Sequence, residues 1–250
     1  MPMTRRFLMA AAAALAGLGL AGCVTNSPGP AGFQAAVPPP AAAGAVAPNP
    51  QVSTLEDAPA GHYGPVAGEP FPVPGIKLAQ IDKAYLRTEV AYATTEPPGT
   101  IVVDPPHHYL YFVEAGGRAM RYGVGVGREG FAWSGEAVIK SKQEWPDWYP
   151  PKEMIERQPE LKAKMAQLQS GIGMHGGPGN PLGARAMYLW QGNADTLFRI
   201  HGTTEPWTIG KSVSSGCIRM INQDVMDLYQ RTPAGTRVVV LGHAKVASNR

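Results

Sequence analysis

The sequence predicts a mainly β domain carrying two or three short helices, set behind an export leader and a proline-rich tether. Three observations predict it. From about Ile76 onward, short runs of β-branched and aromatic residues alternate with glycine turns, the composition that a half-buried pleated surface accepts. Helix-type apolar spacing survives in only two stretches of the chain. The 250 residues hold 30 glycines and 25 prolines, and about half of the prolines precede Gly75, so the excess marks a segment rather than the whole chain. That length leaves room for one domain and an accessory stretch.

The leader comes first. Arg5 and Arg6 precede an apolar run over residues 7–20, and Leu20-Ala21-Gly22-Cys23 closes it with small residues. Charge, length and cleavage chemistry read as a secretory signal, too short to span a hydrocarbon core of about 20 residues. The segment also resembles a bacterial lipoprotein signal, which implies removal of residues 1–22 and a lipid on Cys23. Val24 then favours the outer membrane, with the domain facing the periplasm. Thr4-Arg5-Arg6-Phe7-Leu8 is similar to a twin-arginine signal, leaving the export route open. Residues 23–75, with runs such as Pro38-Pro39-Pro40, read as the tether, a semi-extended linker that cannot bury enough surface to order itself.

A lead-in is expected over 76–98, the folded domain over 99–242 and a tail over 243–250. Residues 101–103, 108–113 and 120–126 read as strands around a Gly116-Gly117 turn. Met154, Ile155, Leu161, Met165 and Leu168 fall at roughly helical spacing, broken at Pro159, and predict one kinked helix or two short ones over 151–169. Residues 186–190 and 197–200 are further strand-like runs. Asn222 is placed to cap a helix over 223–231, which Pro233 and Gly235 stop before a last strand over 236–241.

The composition excludes several function classes. Twenty-two Lys and Arg are scattered among 19 Asp and Glu, a net charge of +3, with no clustered basic face for nucleic acid. Two cysteines build neither a disulfide scaffold nor a four-ligand zinc cage. No Gly-x-Gly-x-x-Gly or Walker-type loop stands between a strand and a helix, so no nucleotide cofactor is expected, and the thiol and imidazole chemistry described below calls for no other cofactor. A zinc site from His175, His201 and Cys217 lacks any compact ligand pair, and no metal is expected. His175 reads as a surface residue on a glycine-rich loop. Trp133, Trp145, Trp148 and Tyr149 fit either a groove floor or the edge of a core.

With Cys23 given to lipid, Cys217 is the one remaining thiol, in Ser214-Ser215-Gly216-Cys217-Ile218-Arg219. Gly216 lets the backbone turn so that the amides of Gly216 and Cys217 point together at a developing oxyanion. Sixteen residues earlier His201 ends an apolar run, in Arg199-Ile200-His201-Gly202-Thr203. An imidazole that accepts the thiol proton raises the reactive thiolate fraction, and a carbonyl in the Gly202-Thr203 turn can hold its other nitrogen. The pair alone leaves open a structural histidine and a buried small cysteine.

Residues 201–220, His-Gly-Thr-Thr through Ser-Ser-Gly-Cys-Ile-Arg-Met, closely resemble the active-site segment of the L,D-transpeptidase family with its YkuD-type catalytic domain. Residues 177–185 are similar to that family's glycine- and proline-rich segment. The resemblance runs from about Gly99 to Leu241 and implies a β-sandwich with two or three short helices. It makes Cys217 the nucleophile, His201 the general base, Gly202 the carbonyl that orients His201, and Gly216 with Cys217 the oxyanion amides. It puts Arg219, Ser215, Ser214 and Thr203 on the substrate side, Arg219 reading equally as a structural ion pair. Ser215 stands where many relatives carry a second histidine. The implied reaction is acyl transfer from the third residue of a peptidoglycan tetrapeptide stem to an amine, through a thioester and with release of D-alanine. The acceptor is another stem, giving a 3–3 cross-link, or a lysine of an outer-membrane lipoprotein; water would make the protein an L,D-carboxypeptidase. Acylation of Cys217 by carbapenems is implied too. The alternative from another class is a non-catalytic peptidoglycan-binding lipoprotein.

Overall fold

The computed structural model describes residues 60–127, 133–150, 152–214 and 216–242. The leader, Cys23, most of the tether, Ser215 and the tail 243–250 lie outside the described residues. Thirteen strands occur among the described residues: β1 (Thr88–Ala91), β2 (Ile101–Asp104), β3 (Tyr109–Glu114), β4 (Arg118–Gly123), β5 (Val126–Gly127), β6 (Gly135–Glu144), β7 (Ala166–Leu168), β8 (Gly171–Gly173), β9 (Arg185–Gln191), β10 (Ala194–His201), β11 (Ser212–Ser214), β12 (Ile218–Arg219) and β13 (Arg237–Val240). Two α-helices accompany them, α1 (Lys152–Arg157) and α2 (Asn222–Arg231). The domain is mainly β, as expected.

Nine strands form one sheet in the order β1-β4-β3-β2-β13-β6-β9-β10-β12, while β5 pairs with β11 and β7 with β8. Alternation explains the core. Ile101 and Val103, Met187 and Leu189, Val238 and Val240 each sit two apart and all enter one cluster, which Leu110, Tyr122, Ile200, Ile218, Val225 and Leu228 complete. Residues from both halves of the sheet share that core, so the sheet must curl over it. Just past β4, Gly125 exchanges both backbone hydrogen bonds with Arg219 of β12, at 2.9 and 2.7 Å, which draws the two ends of the sheet together in a sandwich-like wrap. Each fully buried aliphatic side chain contributes roughly 1.5–3 kcal/mol.

Two expectations are corrected and a third gains detail. The tether does not extend to residue 75. Residues 60–75 fold back as a strap in which Tyr63 and Val73 are buried, Val66 bridges Val73, and Gln223 Nε2 donates to the carbonyls of Gly64 and Pro74, both at 3.0 Å. The lead-in includes β1, which pairs antiparallel with β4. The helical stretch ends early: α1 is followed by a 3-10 turn at Pro159–Lys164 and then by the β7–β8 hairpin, because Leu168 packs inward from a strand that Gly171 turns back.

Helix α2 forms as expected, but Asn222 is its first residue rather than its cap. Its Oδ1 accepts from the Ala184 N–H at 3.0 Å and its Nδ2 donates to the Thr203 carbonyl at 3.1 Å, so this side chain ties two loops to the helix start.

Candidate active site

His201 is the last residue of β10, and Cys217 stands one residue ahead of β12. These strands run parallel, with Ile200 opposite Ile218 and His201 opposite Arg219. Ile200 and Ile218 point into the core, so by alternation His201, Arg219, Arg199 and Cys217 share the other face. His201 and Cys217 then occupy diagonal positions on the same face of adjoining segments, Cys217 one residue before the register begins.

The imidazole is 4% exposed, and its Nδ1 lies 2.6 Å from the Gly202 carbonyl oxygen. A carbonyl only accepts, so the proton on this side of the ring sits on Nδ1, and the Leu182 backbone is a second hydrogen-bond partner of the imidazole. Burial lowers the His201 pKa to about 4; the Gly202 carbonyl pushes it back up, and the Arg219 and Arg199 charges push it further down. Burial raises the half-buried Cys217 thiol, opposed by the charge and the main-chain hydrogen bond of Arg199 and by the charge of Arg219. At neutral pH the thiol and the imidazole are therefore both neutral.

The turn behind His201 is packed without slack. A Cβ on Gly202 would lie 2.2 Å from Asn222 Oδ1, and one on Gly183 (φ +64) would lie 2.3 Å from the same atom and 2.7 Å from the Gly202 carbonyl carbon. Only glycines let the two loops close on Asn222. On the nucleophile side Gly216 has φ +120, and its α-carbon faces Phe198, whose ring stacks on Trp133 at 5.1 Å between centroids.

The remaining expected site residues separate. Ser214 and Thr203 each make a loop hydrogen bond. Both are buried, the Ser214 hydroxyl donating to the Cys217 carbonyl at 2.6 Å and the Thr203 hydroxyl accepting from the Glu205 N–H at 3.0 Å, so both help close the loops around Cys217 and His201. Arg219 reaches Glu205 at 3.1 Å. Ser215 is outside the described residues. His175 is 73% exposed, with Nδ1 3.5 Å from Asp147 Oδ1. The tryptophans do not form one floor: Trp133 lies under Phe198, whereas Trp145 packs edge-on against Phe71 of the strap.

Two neighbours of the thiol escaped the sequence reading. Arg199 is two residues before His201 on a strand, a spacing that already puts both on one face. Tyr188 is opposite Arg199 on β9, with the guanidinium 5.0 Å from its ring centroid. Only the register reveals Tyr188.

Residues 98–240 match the model of the YkuD family, the L,D-transpeptidase catalytic domain. The chain is 33% identical over 145 residues to the probable L,D-transpeptidase ErfK/SrfK of Salmonella typhimurium, covering 56% of this chain and 43% of that protein. It is 47% identical over 66 residues to the putative L,D-transpeptidase YqjB of Bacillus subtilis, covering 26% and 38%. The chain thus spans less than half the length of these curated relatives. Among solved structures, a Brucella melitensis protein described as a probable carnitine operon oxidoreductase caia is 54% identical, with 66% of this chain and 99% of that chain covered and a TM-score of 0.43. An L,D-transpeptidase from Mycobacterium smegmatis is 16% identical, with 57% and 58% covered and a TM-score of 0.41.

Proposed function

Because this chain belongs to the L,D-transpeptidase family, its residues 98–240 matching the catalytic domain, we propose that it is a cysteine-dependent transferase acting on peptidoglycan stem peptides. The observation that carries the reading is the parallel β10–β12 register, which sets Cys217 and His201 on one face with His201 Nδ1 engaged by Gly202.

The chemistry follows from that state. The thiol and imidazole are both neutral, so the Cys217 proton passes to His201 Nε2 as sulfur attacks the carbonyl of the third stem residue. The amides of Gly216 and Cys217 receive the oxyanion. The tetrahedral species collapses to a thioester as the C–N bond breaks, and the imidazolium returns its proton to the departing D-alanine amine. An acceptor amine then attacks the thioester, gives its proton to His201, and expels the thiolate, which is reprotonated. A second stem as acceptor yields a 3–3 cross-link, and a lysine of an outer-membrane lipoprotein yields a wall anchor. Nucleophile, base and oxyanion donors all come from the chain, and a carbapenem carbonyl would acylate the same sulfur.

In this reading residues 1–22 are removed, Cys23 carries lipid in the outer membrane, and the segment ahead of the strap holds the domain in the periplasm. Fractionation checks that part: a Cys23→Ala protein should leave the membrane fraction.

The reaction is tested by incubating the leader-free chain and its Cys217→Ala form with purified tetrapeptide muropeptides and weighing the products by mass spectrometry. A dimer lacking one D-alanine, made only with Cys217, is the expected result. A Cys217-dependent tripeptide alone would redirect the reading to carboxypeptidase action. Unchanged masses with sacculus binding intact would leave a wall-binding module.

A further inference from the structure

The strap over residues 60–75 lies wholly outside the family-matched segment 98–240, yet one of its side chains reaches the elements that hold His201. Glu69 makes a two-pronged contact with Arg185, Oε2 accepting from Nη1 at 2.9 Å and Oε1 from Nη2 at 2.7 Å. The Trp145 indole N–H donates to Oε2 at 2.8 Å. Three donors converge on a carboxylate only 14% exposed, facing a guanidinium 7% exposed. Hydrogen bonding from Arg185 holds the Glu69 carboxyl below its ordinary value, so it stays charged. Paired forks of this kind fix orientation as well as charge.

Trp145 is itself held for this contact. Its backbone is left-handed at φ 45, its N–H donates to the Ala184 carbonyl at 2.8 Å, and Gly176 packs so close to its carbonyl that a Cβ there would lie 1.9 Å away. A bulky residue in that conformation persists only where its surroundings dictate it.

From Arg185 the connection runs through the backbone. The Arg185 carbonyl accepts from the Gly202 N–H at 3.0 Å, and the Gly202 carbonyl accepts from His201 Nδ1 at 2.6 Å. Both faces of one peptide-bearing residue are therefore committed: Gly202 leans on Arg185 with its N–H and orients the imidazole with its carbonyl. We propose that Glu69 is a positioning residue for His201, acting through Arg185 and Gly202. The inference rests on the reading of His201 as the base.

Without Glu69, Arg185 would be a poorly solvated cation whose nearest remaining carboxylate is Glu144, 3.8 Å from Nε and 58% exposed. The guanidinium would turn toward solvent and Glu144, and the start of β9 would move with it. A shift of the Gly202 carbonyl with it releases the Nδ1–H, and the imidazole then samples the tautomer that presents a proton, not a lone pair, to the thiol.

The strap has a second, independent fastener, Tyr63, whose hydroxyl donates to Asp224 Oδ2 at 3.2 Å and accepts from the Arg87 N–H at 2.6 Å. This separates positioning from mere attachment. The test uses the full chain as wild type, Glu69→Ala, Glu69→Gln and Tyr63→Phe, with two readings that need no wall substrate. One is the nitrogen-15 spectrum of labelled histidine, which reports the His201 tautomer. The other is the rate of iodoacetamide alkylation at the Cys217 peptide across the neutral pH range.

Glu69→Ala is expected to average the two ring nitrogens and to slow alkylation about tenfold or more, with Glu69→Gln between it and wild type and Tyr63→Phe like wild type. A folded Glu69→Ala protein with wild-type tautomer and alkylation would overturn the proposal, as would equal losses in Tyr63→Phe. If Glu69→Ala does not fold, Glu69→Gln decides by the same two readings. Failure of the muropeptide reaction with both readings as expected would count against the proposed substrate and leave the role of Glu69 standing.

Discussion

At His201 burial outweighs every favourable contact of the imidazolium, and the sign of the pH response follows. The folded pKa of about 4 lies below the ordinary 6.5, so the unfolded chain binds the extra proton first as pH falls. The stability contributed by the neutral ring is whole above pH 6.5 and is lost progressively down to about 4, roughly 3 kcal/mol in all. With His201 in its proposed role as base, the acylation rate of Cys217 should pass through the usual histidine range without a break and fall only near pH 4, which a pH–rate profile checks. His201→Ala should remove most of that rate while the fold survives. Gly202→Ala is a different matter, because its Cβ would enter the space of Asn222 Oδ1. We expect a loss of about 3 kcal/mol or more in denaturant melts, with the thiol slowed even in the folded fraction. The sequence offered both Gly183 and Gly202 as members of a resembling segment; their physical reason, two loops closing on one asparagine, needs the contact with Asn222 to be seen.

Among the elements, strands were legible where alternation was strict. Ile101-Val102-Val103 and the run ending at His201 both became strands within a residue or a few of expectation. The β10 boundary was the less exact, since the strand starts at Ala194 and carries an irregular stretch between Asp195 and Arg199 with Leu197 at φ 62. The β7–β8 hairpin was hidden because Met165 and Leu168 are spaced like a helix while glycine chemistry downstream reverses the chain. The strap was hidden for a compositional reason: Pro65, Pro70, Pro72 and Pro74 read as linker, yet its buried anchors are just Tyr63 and Val73. A chain starting at residue 76 should therefore be less stable than one starting at residue 60 by roughly 3–6 kcal/mol, two buried side chains' worth, measurable as a shift in urea midpoint. Equal midpoints would show that the strap adds no stability.

Over the whole molecule two buried groups titrate in opposite senses. Asp224 on α2 is completely buried, its carboxyl raised by burial to about 7 against the pull of Arg87, with Tyr63 hydrogen-bonded and Asp227 nearby. A raised carboxyl contributes stability below about pH 4 that is lost as pH rises through 7, the reverse of His201 over nearly the same window. The two contributions offset each other, and wild-type stability should be close to level between about pH 4 and 6.5. Asp224→Asn removes one of them and leaves Arg87 its 2.9 Å contact with Asp227, so that variant should gain about 3 kcal/mol in urea melts as pH rises across the window. A level profile in the variant would refute the offset.

The bridge between Gly125 and Arg219 carries a consequence for how any peptide would meet the proposed nucleophile, Cys217. With β10 on one side and Gly125 on the other, the main-chain donors and acceptors of Arg219 are already taken. Strand β12 has no open border, and an incoming chain cannot lengthen the sheet there as it does in proteins that read ligands by strand addition. Recognition beside Cys217 must come from side chains and loop amides above the sheet. Extended backbone mimics would then make poor inhibitors, and compact electrophiles that need no ladder of hydrogen bonds would make better ones.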